Sequence, residues 1–175
     1  MHEYSPQPSH WVIQHSAHIK PEGKILDLAA GSGRNARWLA AQGFLVEAVD
    51  RDNAALQTMQ GLRNINLTHL DMENGEWVYG NSQFDAIVVC RYLHRPLLPW
   101  LVHSLVAGGV LIYETFMMGN EAYGSPKNPD FLLNSNELLD TFQPLLTVIA
   151  YEEGLLQETP TPAVLQRIAA IKLTS

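Results

Sequence analysis

Three carboxylates stand at the ends of the first three apolar runs of this chain. Asp27 lies in Lys24-Ile25-Leu26-Asp27-Leu28, Asp50 follows Phe44 to Val49, and Asp71 follows Ile65 to Leu70. Short apolar runs alternating with helical stretches predict parallel strands buried on both faces. The carboxyl ends of such strands line one crevice, where a nucleoside lies at the switch point of the sheet. Asp50, followed by a polar turn, is placed to accept hydrogen bonds from both hydroxyls of a ribose. Asp71 is placed to take the exocyclic amine of an adenine, with Met72 packing on the ring face.

Asp27 also opens the turn Asp27-Leu28-Ala29-Ala30-Gly31-Ser32-Gly33. Gly31 and Gly33 let the backbone approach a ligand closely and take turns that a side chain forbids. Asp27 is near enough to orient this loop and, through water, to attract an ammonium group. A dinucleotide fold would instead set a pyrophosphate at the helix N-terminus, where an acid is unhelpful. Ala36 stands where the third glycine of that fingerprint falls, although alanine is allowed there. A lone Gly-x-Gly is a weak signal, and one Asp after a strand is often only a helix cap. The joint spacing carries the inference.

The elements that must hold these groups follow from periodicity. Ser9 caps an amphipathic helix running to Ile19, with Trp11, Val12, His15 and Ile19 on one face, and Pro21-Glu22-Gly23 stops it. Strands are expected over 24–28, 44–49, 65–70, 84–90 and 110–116. Helices are expected over 35–42, 53–60 and from Pro96 to about Val106, before a turn at Gly108-Gly109. Met117 to Leu133 breaks the pattern with Gly119, Gly124, Pro126 and Pro129, and is longer than an ordinary connection. This insertion, 117–134, is a candidate lid. A short helix begins at Ser135. Leu145 to Tyr151 and Val164 to Leu173, separated by Gly154, Pro160 and Pro162, form a closing hairpin. With no repeat or linker, 1–175 is expected to be one domain, with 1–22 as an N-terminal helix or lid.

Composition narrows the function. An apolar fraction of 46% with 17% charged residues is that of a globular chain. A net charge of -7 repels phosphate backbones, so a nucleic-acid substrate is disfavoured. Cys90 is the one cysteine, which excludes an internal disulfide and fits a reducing compartment. Met1-His2-Glu3-Tyr4-Ser5-Pro6 has no signal-peptide character, and no apolar run approaches the ~20 residues of a membrane span. A cytoplasmic monomer or homodimer without membrane attachment is expected. His15 and His18 share a helix face, but no third ligand accompanies them, so no metal is expected.

Asp27-x-x-x-Gly31-x-Gly33, Val49-Asp50 and Asp71-Met72, spread over nearly the whole chain, resemble the motifs of class I S-adenosylmethionine-dependent methyltransferases. Gly33-Arg34-Asn35 is similar to the turn of tellurite-resistance-type and related small-molecule methyltransferases, where it borders the methionine part of the cofactor. Ala29 departs from the glycine often found there. Arg91-Tyr92-Leu93-His94-Arg95-Pro96, Tyr113-Glu114-Thr115-Phe116 and Pro126-Lys127-Asn128-Pro129 resemble a bacterial group of short methyltransferases. The resemblance implies a Rossmann-like α/β fold: a mixed seven-stranded sheet in the order 3-2-1-4-5-7-6, helices on both faces and one antiparallel strand. It implies S-adenosylmethionine as cofactor and S-adenosylhomocysteine as product. The cofactor would be held by Asp27, Ala29, Gly31, Ser32, Gly33, Asn35, Asp50, Arg51, Asp71, Met72 and Cys90.

A sulfonium carries an activated methyl, so the protein chiefly has to align the acceptor and exclude water. Acceptor contacts are expected from Trp11, Arg91, Glu114 and Tyr123, and the candidate catalytic residues are Tyr92 and His94. His94 is either a general base or a cap of the following helix. Tyr92 steers the acceptor, packs over the cofactor or fills the sheet edge, and Trp11 covers the ligands or anchors its helix to the core. Cys90 is read as a small buried residue, because the Pro-Cys context of cytosine-C5 methyltransferases is missing. The Asn-Pro-Pro-Tyr motif of amino-methylating nucleic-acid enzymes is missing too. Both absences favour a small acceptor, polar or thiol-like, or a protein side chain. Two other readings stay open: a non-catalytic module that binds the cofactor and regulates a partner, and an NAD-dependent oxidoreductase. The latter needs a substrate domain for which 175 residues leave no room.

Overall fold

A computed structural model describes residues 7–156 and 161–173. Pro160, expected between the last two strands, and residues 1–6 of the expected N-terminal lid lie outside the described residues. The strands are β1 Lys24–Leu28, β2 Leu45–Asp50, β3 Ile65–His69, β4 Phe84–Cys90, β5 Leu105–Phe116, β6 Thr147–Leu156 and β7 Ala163–Ile171. They form one sheet in the order β3-β2-β1-β4-β5-β7-β6. β1 to β5 are parallel, and β7 runs antiparallel to both β5 and β6. The switch point lies between β1 and β4, where successive connections leave the sheet in opposite directions.

Alternate residues of the strands feed two cores. On one face Ile25, Ala48, Val88 and Ile112 meet Trp11 and Val12 of α1 (His10–His15), Leu39 of α2 (Arg34–Ala41) and Leu56 of α3 (Asn53–Gln57). On the other, Leu26, Val89, Leu111 and Ile168 meet Leu101 of α4 (Leu98–Ser104) and Leu138 and Phe142 of α5 (Glu137–Phe142). Central strands apolar on both sides are what a doubly covered sheet requires.

Several boundaries differ from the sequence expectation, each for a local reason. The first helix ends at His15 and tightens into a 3-10 turn over Ser16–His18, where the Ser16 hydroxyl donates to the Ile13 carbonyl at 2.8 Å. α3 closes at Gln57, and the Thr58 hydroxyl donates back to the Ala55 carbonyl. α4 stops at Ser104 instead of about Val106, and the turn expected at Gly108-Gly109 lies inside β5. There the register with β4 jumps from Phe84 opposite Leu105 to Ala86 opposite Val110. Gly108 supplies the positive φ (82°) that such a bulge needs. β6 runs on to Leu156, through Gly154.

The 117–134 stretch is anchored at several points. It carries 3-10 turns over Asn120–Ala122 and Pro129–Phe131 and a cis bond at Ser125-Pro126. The buried Asn120 accepts from the Val164 N–H at 3.0 Å and donates to the Ser125 carbonyl. Arg95 donates to the carbonyls of Asp130 and Leu132 and pairs with Glu137 at 2.7 Å.

Candidate active site

β1 ends in a sharp left-handed turn at Ala29 (φ 59°), and Gly31 and Gly33 follow at φ 57° and 84°. The φ of Gly33 is one that a side chain rarely takes, and a Cβ there would also displace the Met59 side chain, whose sulfur lies 2.0 Å from its place. Gly31 has open space where a Cβ would stand. Its N–H donates to Asp50 Oδ2 at 2.8 Å, which ties the loop after β1 to the end of β2. The Asp52 N–H donates to Oδ1, also at 2.8 Å. A carboxylate accepts about four hydrogen bonds, so Asp50 keeps capacity on both oxygens.

These ends surround a cavity of about 240 Å³. Its wall brings together six residues expected from the sequence to bind cofactor or acceptor, namely Ala29, Asp50, Arg51, Asp71, Met72 and Arg91, together with Tyr92. Leu28, Val49 and Leu70 add apolar surface, and Glu73 adds a further acid. A lining that combines carboxylates with apolar side chains suits an amphipathic ligand of nucleoside type.

Asp27 lies just below the loop, 2% exposed, and its Oδ2 has no partner. Burial raises its pKa from 3.8 to about 7; the nearby Arg34 charge and the Ala36 N–H oppose that shift, and Asp50 adds to it. An acid buried with a free oxygen beside a glycine loop is prepared for a cationic partner. Arg34, at the start of α2, has one buried guanidinium nitrogen, Nη2, without a partner, while Nη1 donates to the Gln7 carbonyl at 3.3 Å. Burial first, and then the Arg34 charge, lower the pKa of Arg91. The Arg34 charge thus acts both on the buried acid Asp27 and on Arg91 of the cavity wall. The sequence signal for Arg34 is its place directly after Gly33.

Other expected residues sit elsewhere. Trp11 lies in the core instead of the cavity wall: it is 5% exposed, and its indole N–H donates to the Ile168 carbonyl at 3.0 Å. Glu114 is likewise buried, accepting from the Ser9 hydroxyl at 2.7 Å and pairing with Arg167 at 3.4 Å, so it is committed internally. Asn35 faces the N-terminal segment, accepting from the Ser9 N–H at 2.9 Å. The Ser32 carbonyl accepts from Arg37 at 2.9 Å. Tyr123 is 46% exposed at the end of a 3-10 turn and is not part of the cavity wall. Cys90 is buried, and burial beside Glu114 pushes its thiol well above the usual range, which makes it a poor nucleophile. Burial and the acids Glu73 and Asp71 raise the Tyr92 phenol. His94 Nδ1 lies 3.0 Å from Glu73 Oε1. Glu73 was missed; as the second acid after β3, in Asp71-Met72-Glu73, it carried a weak signal.

Sheet order, glycine loop and strand-end acids together define the class I S-adenosylmethionine-dependent methyltransferase fold. The chain belongs to the TehB family: residues 1–172 match the family model described as tellurite resistance protein TehB. No curated protein sequence matches the chain significantly. Among solved structures, TehB from Haemophilus influenzae superposes with a TM-score of 0.74 at 21% identity over 92% of this chain and 61% of that one. The chain thus spans about three fifths of that relative's length. A TehB-like SAM-dependent methyltransferase from Corynebacterium glutamicum gives 0.67 at 19% identity, covering 93% and 86% of the two chains. A SAM-dependent methyltransferase from Methanosarcina mazei gives 0.74 at 15%, covering 96% and 100%. Among the described residues no helix is long and apolar enough to cross a membrane, and no group of His, Cys, Asp and Glu is arranged to hold a metal.

Proposed function

We propose that this chain is an S-adenosylmethionine-dependent methyltransferase acting on a small-molecule acceptor. One observation carries the proposal: Asp50, Asp71 and Met72 line one cavity, and Asp50 also fastens the adjoining glycine loop through the Gly31 N–H. The residues fit the cofactor. Asp50 would take the ribose hydroxyls, Asp71 and Met72 the adenine, and Asp27 with Arg34 the ammonium and carboxylate of the methionine end. When bound, S-adenosylmethionine supplies a methyl group on a positively charged sulfur. Ala29 and Arg91, which directly follow the neighbouring strands β1 and β4, both line the cavity, and an acceptor would approach beside them. Arg91, whose side chain lies in the cavity wall, would orient the acceptor, and Tyr92 would exclude water beside it.

Thermal unfolding with S-adenosylmethionine, S-adenosylhomocysteine and NAD in turn tests the cofactor. A ligand at 100 times its Kd adds about 2.7 kcal/mol to stability. The adenosyl compounds are expected to raise the midpoint of the wild type and not of Asp50→Ala; a response to NAD alone, or none, overturns the proposal. Transfer of labelled methyl to a panel of thiols and to tellurite, the compound in the family's name, separates an enzyme from a module that binds the cofactor without turnover.

A further inference from the structure

In the order β3-β2-β1-β4, two strands separate β3 from β4, a span of roughly 14 Å at ~4.8 Å per strand. Yet Glu73, in the turn after β3, reaches His94, just after β4, at 3.0 Å between Oε1 and Nδ1. The ion pair therefore crosses above the carboxyl ends of β2 and β1. The second oxygen, Oε2, lies 3.7 Å from Nη1 of Arg51, which follows β2. Three strand ends are joined through one carboxylate, and both Glu73 and Arg51 belong to the cavity wall. The Glu73 N–H donates to Asp71 Oδ1 at 2.9 Å, so the same turn carries the acid assigned to adenine. Glu73 is thus the carboxylate at ion-pair distance from the His94 ring.

We propose that Glu73 is a positioning residue for the cofactor: with His94 and Arg51 it forms a charged strap across the adenosine cavity that slows departure of the nucleoside. His94 then serves the strap as a cation and not the reaction as a base. The proposal rests on taking the cavity as the adenosine site. Such a strap needs a cation at His94, because only a charged ring forms an ion pair with Glu73. Loss of that charge would weaken the strap and lower nucleoside affinity. The other charged groups near His94 are Asp50, Asp71 and Arg51, which act on the adjacent Tyr92, Arg91 in the cavity wall, and Arg95, which is committed to Glu137 of α5. Asp27, below the loop, works in the opposite sense, since losing its proton favours a cationic ligand. The strap is therefore read from the difference between wild type and variants.

The experiment is calorimetric and stopped-flow binding of S-adenosylhomocysteine to the full chain from about pH 5.5 to about 8.5. Wild type is compared with Glu73→Gln, His94→Gln, the double variant and His94→Lys, with thermal unfolding confirming that each folds. At low pH each single variant is expected to bind roughly three- to fivefold more weakly, the scale of a partly exposed ion pair, through faster dissociation. The double variant should be no weaker than either single one. His94→Lys, permanently charged, should hold the low-pH affinity up to about pH 8.5. A wild type that binds no S-adenosylhomocysteine overturns the cofactor assignment and the strap with it. A wild type that binds while Glu73→Gln binds equally well, or losses that add in the double variant, overturn the strap alone.

Discussion

At the scale of single residues, the site is built from conformations and charges that cost stability. Ala29 and Arg91 both take left-handed backbone, at φ 59° and 56°, where a side chain costs roughly 1–2 kcal/mol. Replacing either with glycine relieves the strain. Ala29→Gly is expected to raise Tm by about 2–4 °C. Arg91→Gly should gain similarly while methyl transfer falls, because the guanidinium leaves the cavity wall; calorimetry beside a turnover assay checks the pair. Asp27 adds a pH dependence of definite sign. A carboxyl raised from 3.8 to about 7 holds its proton more tightly when folded, so its stability contribution is complete below about pH 4 and falls as pH climbs to about 7. Asp27→Asn cannot ionise and should flatten that fall, melting higher than wild type at about pH 8 while binding S-adenosylmethionine more weakly. Melting curves at about pH 5 and pH 8 decide it: a variant that tracks the wild type at both removes Asp27 as the source.

At the scale of elements, α1 shows how short helices are held. Six residues are too few to be helical alone, so tertiary packing must fix them. Trp11 packs into the core and its ring lies under Arg167, 5.7 Å from the centroid, while the Ser9 hydroxyl caps Trp11 and Val12 and donates to Glu114. Trp11→Ala should cost on the order of 3–5 kcal/mol. Ser9→Ala should cost about 1 kcal/mol from the cap, with further loss where Glu114 gives up a donor. Chemical denaturation measures both. The periodicity of Trp11, Val12 and His15 marked an apolar face, but it could not say whether that face meets the sheet or a ligand. The α4 to β5 boundary was misplaced for a related reason. Gly108-Gly109 reads locally as a turn, and only pairing with β4 makes it a bulge within a strand.

At the scale of the whole molecule, β7 inserts between β5 and β6 and brings the buried Arg167 to Glu114 and Glu152. One guanidinium thus joins the hairpin to the central sheet, and through Glu114 and Ser9 to the N-terminal helix. Glu114→Gln removes a charge from a buried pair and should destabilise the fold by on the order of 3 kcal/mol. Because Glu114 is 3% exposed, the loss should appear as a lower denaturation midpoint with S-adenosylhomocysteine binding intact below it. A weakened ligand response at full folding would return Glu114 to the crevice.

Strand alternation, the glycine loop and the acids at Asp50 and Asp71 were legible in the amino-acid order, because these depend on local periodicity and on residues fixed to strand ends. Parallel strands necessarily bring those ends to one side, so the cavity wall was largely legible. The resemblance to class I methyltransferases supplied the strand order, which long-range pairing alone establishes. Long-range packing selected between the two plausible fates of each ambiguous residue. Trp11 and Glu114 turned inward because the sheet face and Arg167 offered them partners, and Glu73 met His94 across two intervening strands. Contacts between residues distant in sequence depend on where whole elements come to rest, and that position is fixed by the packed core rather than by neighbours along the chain.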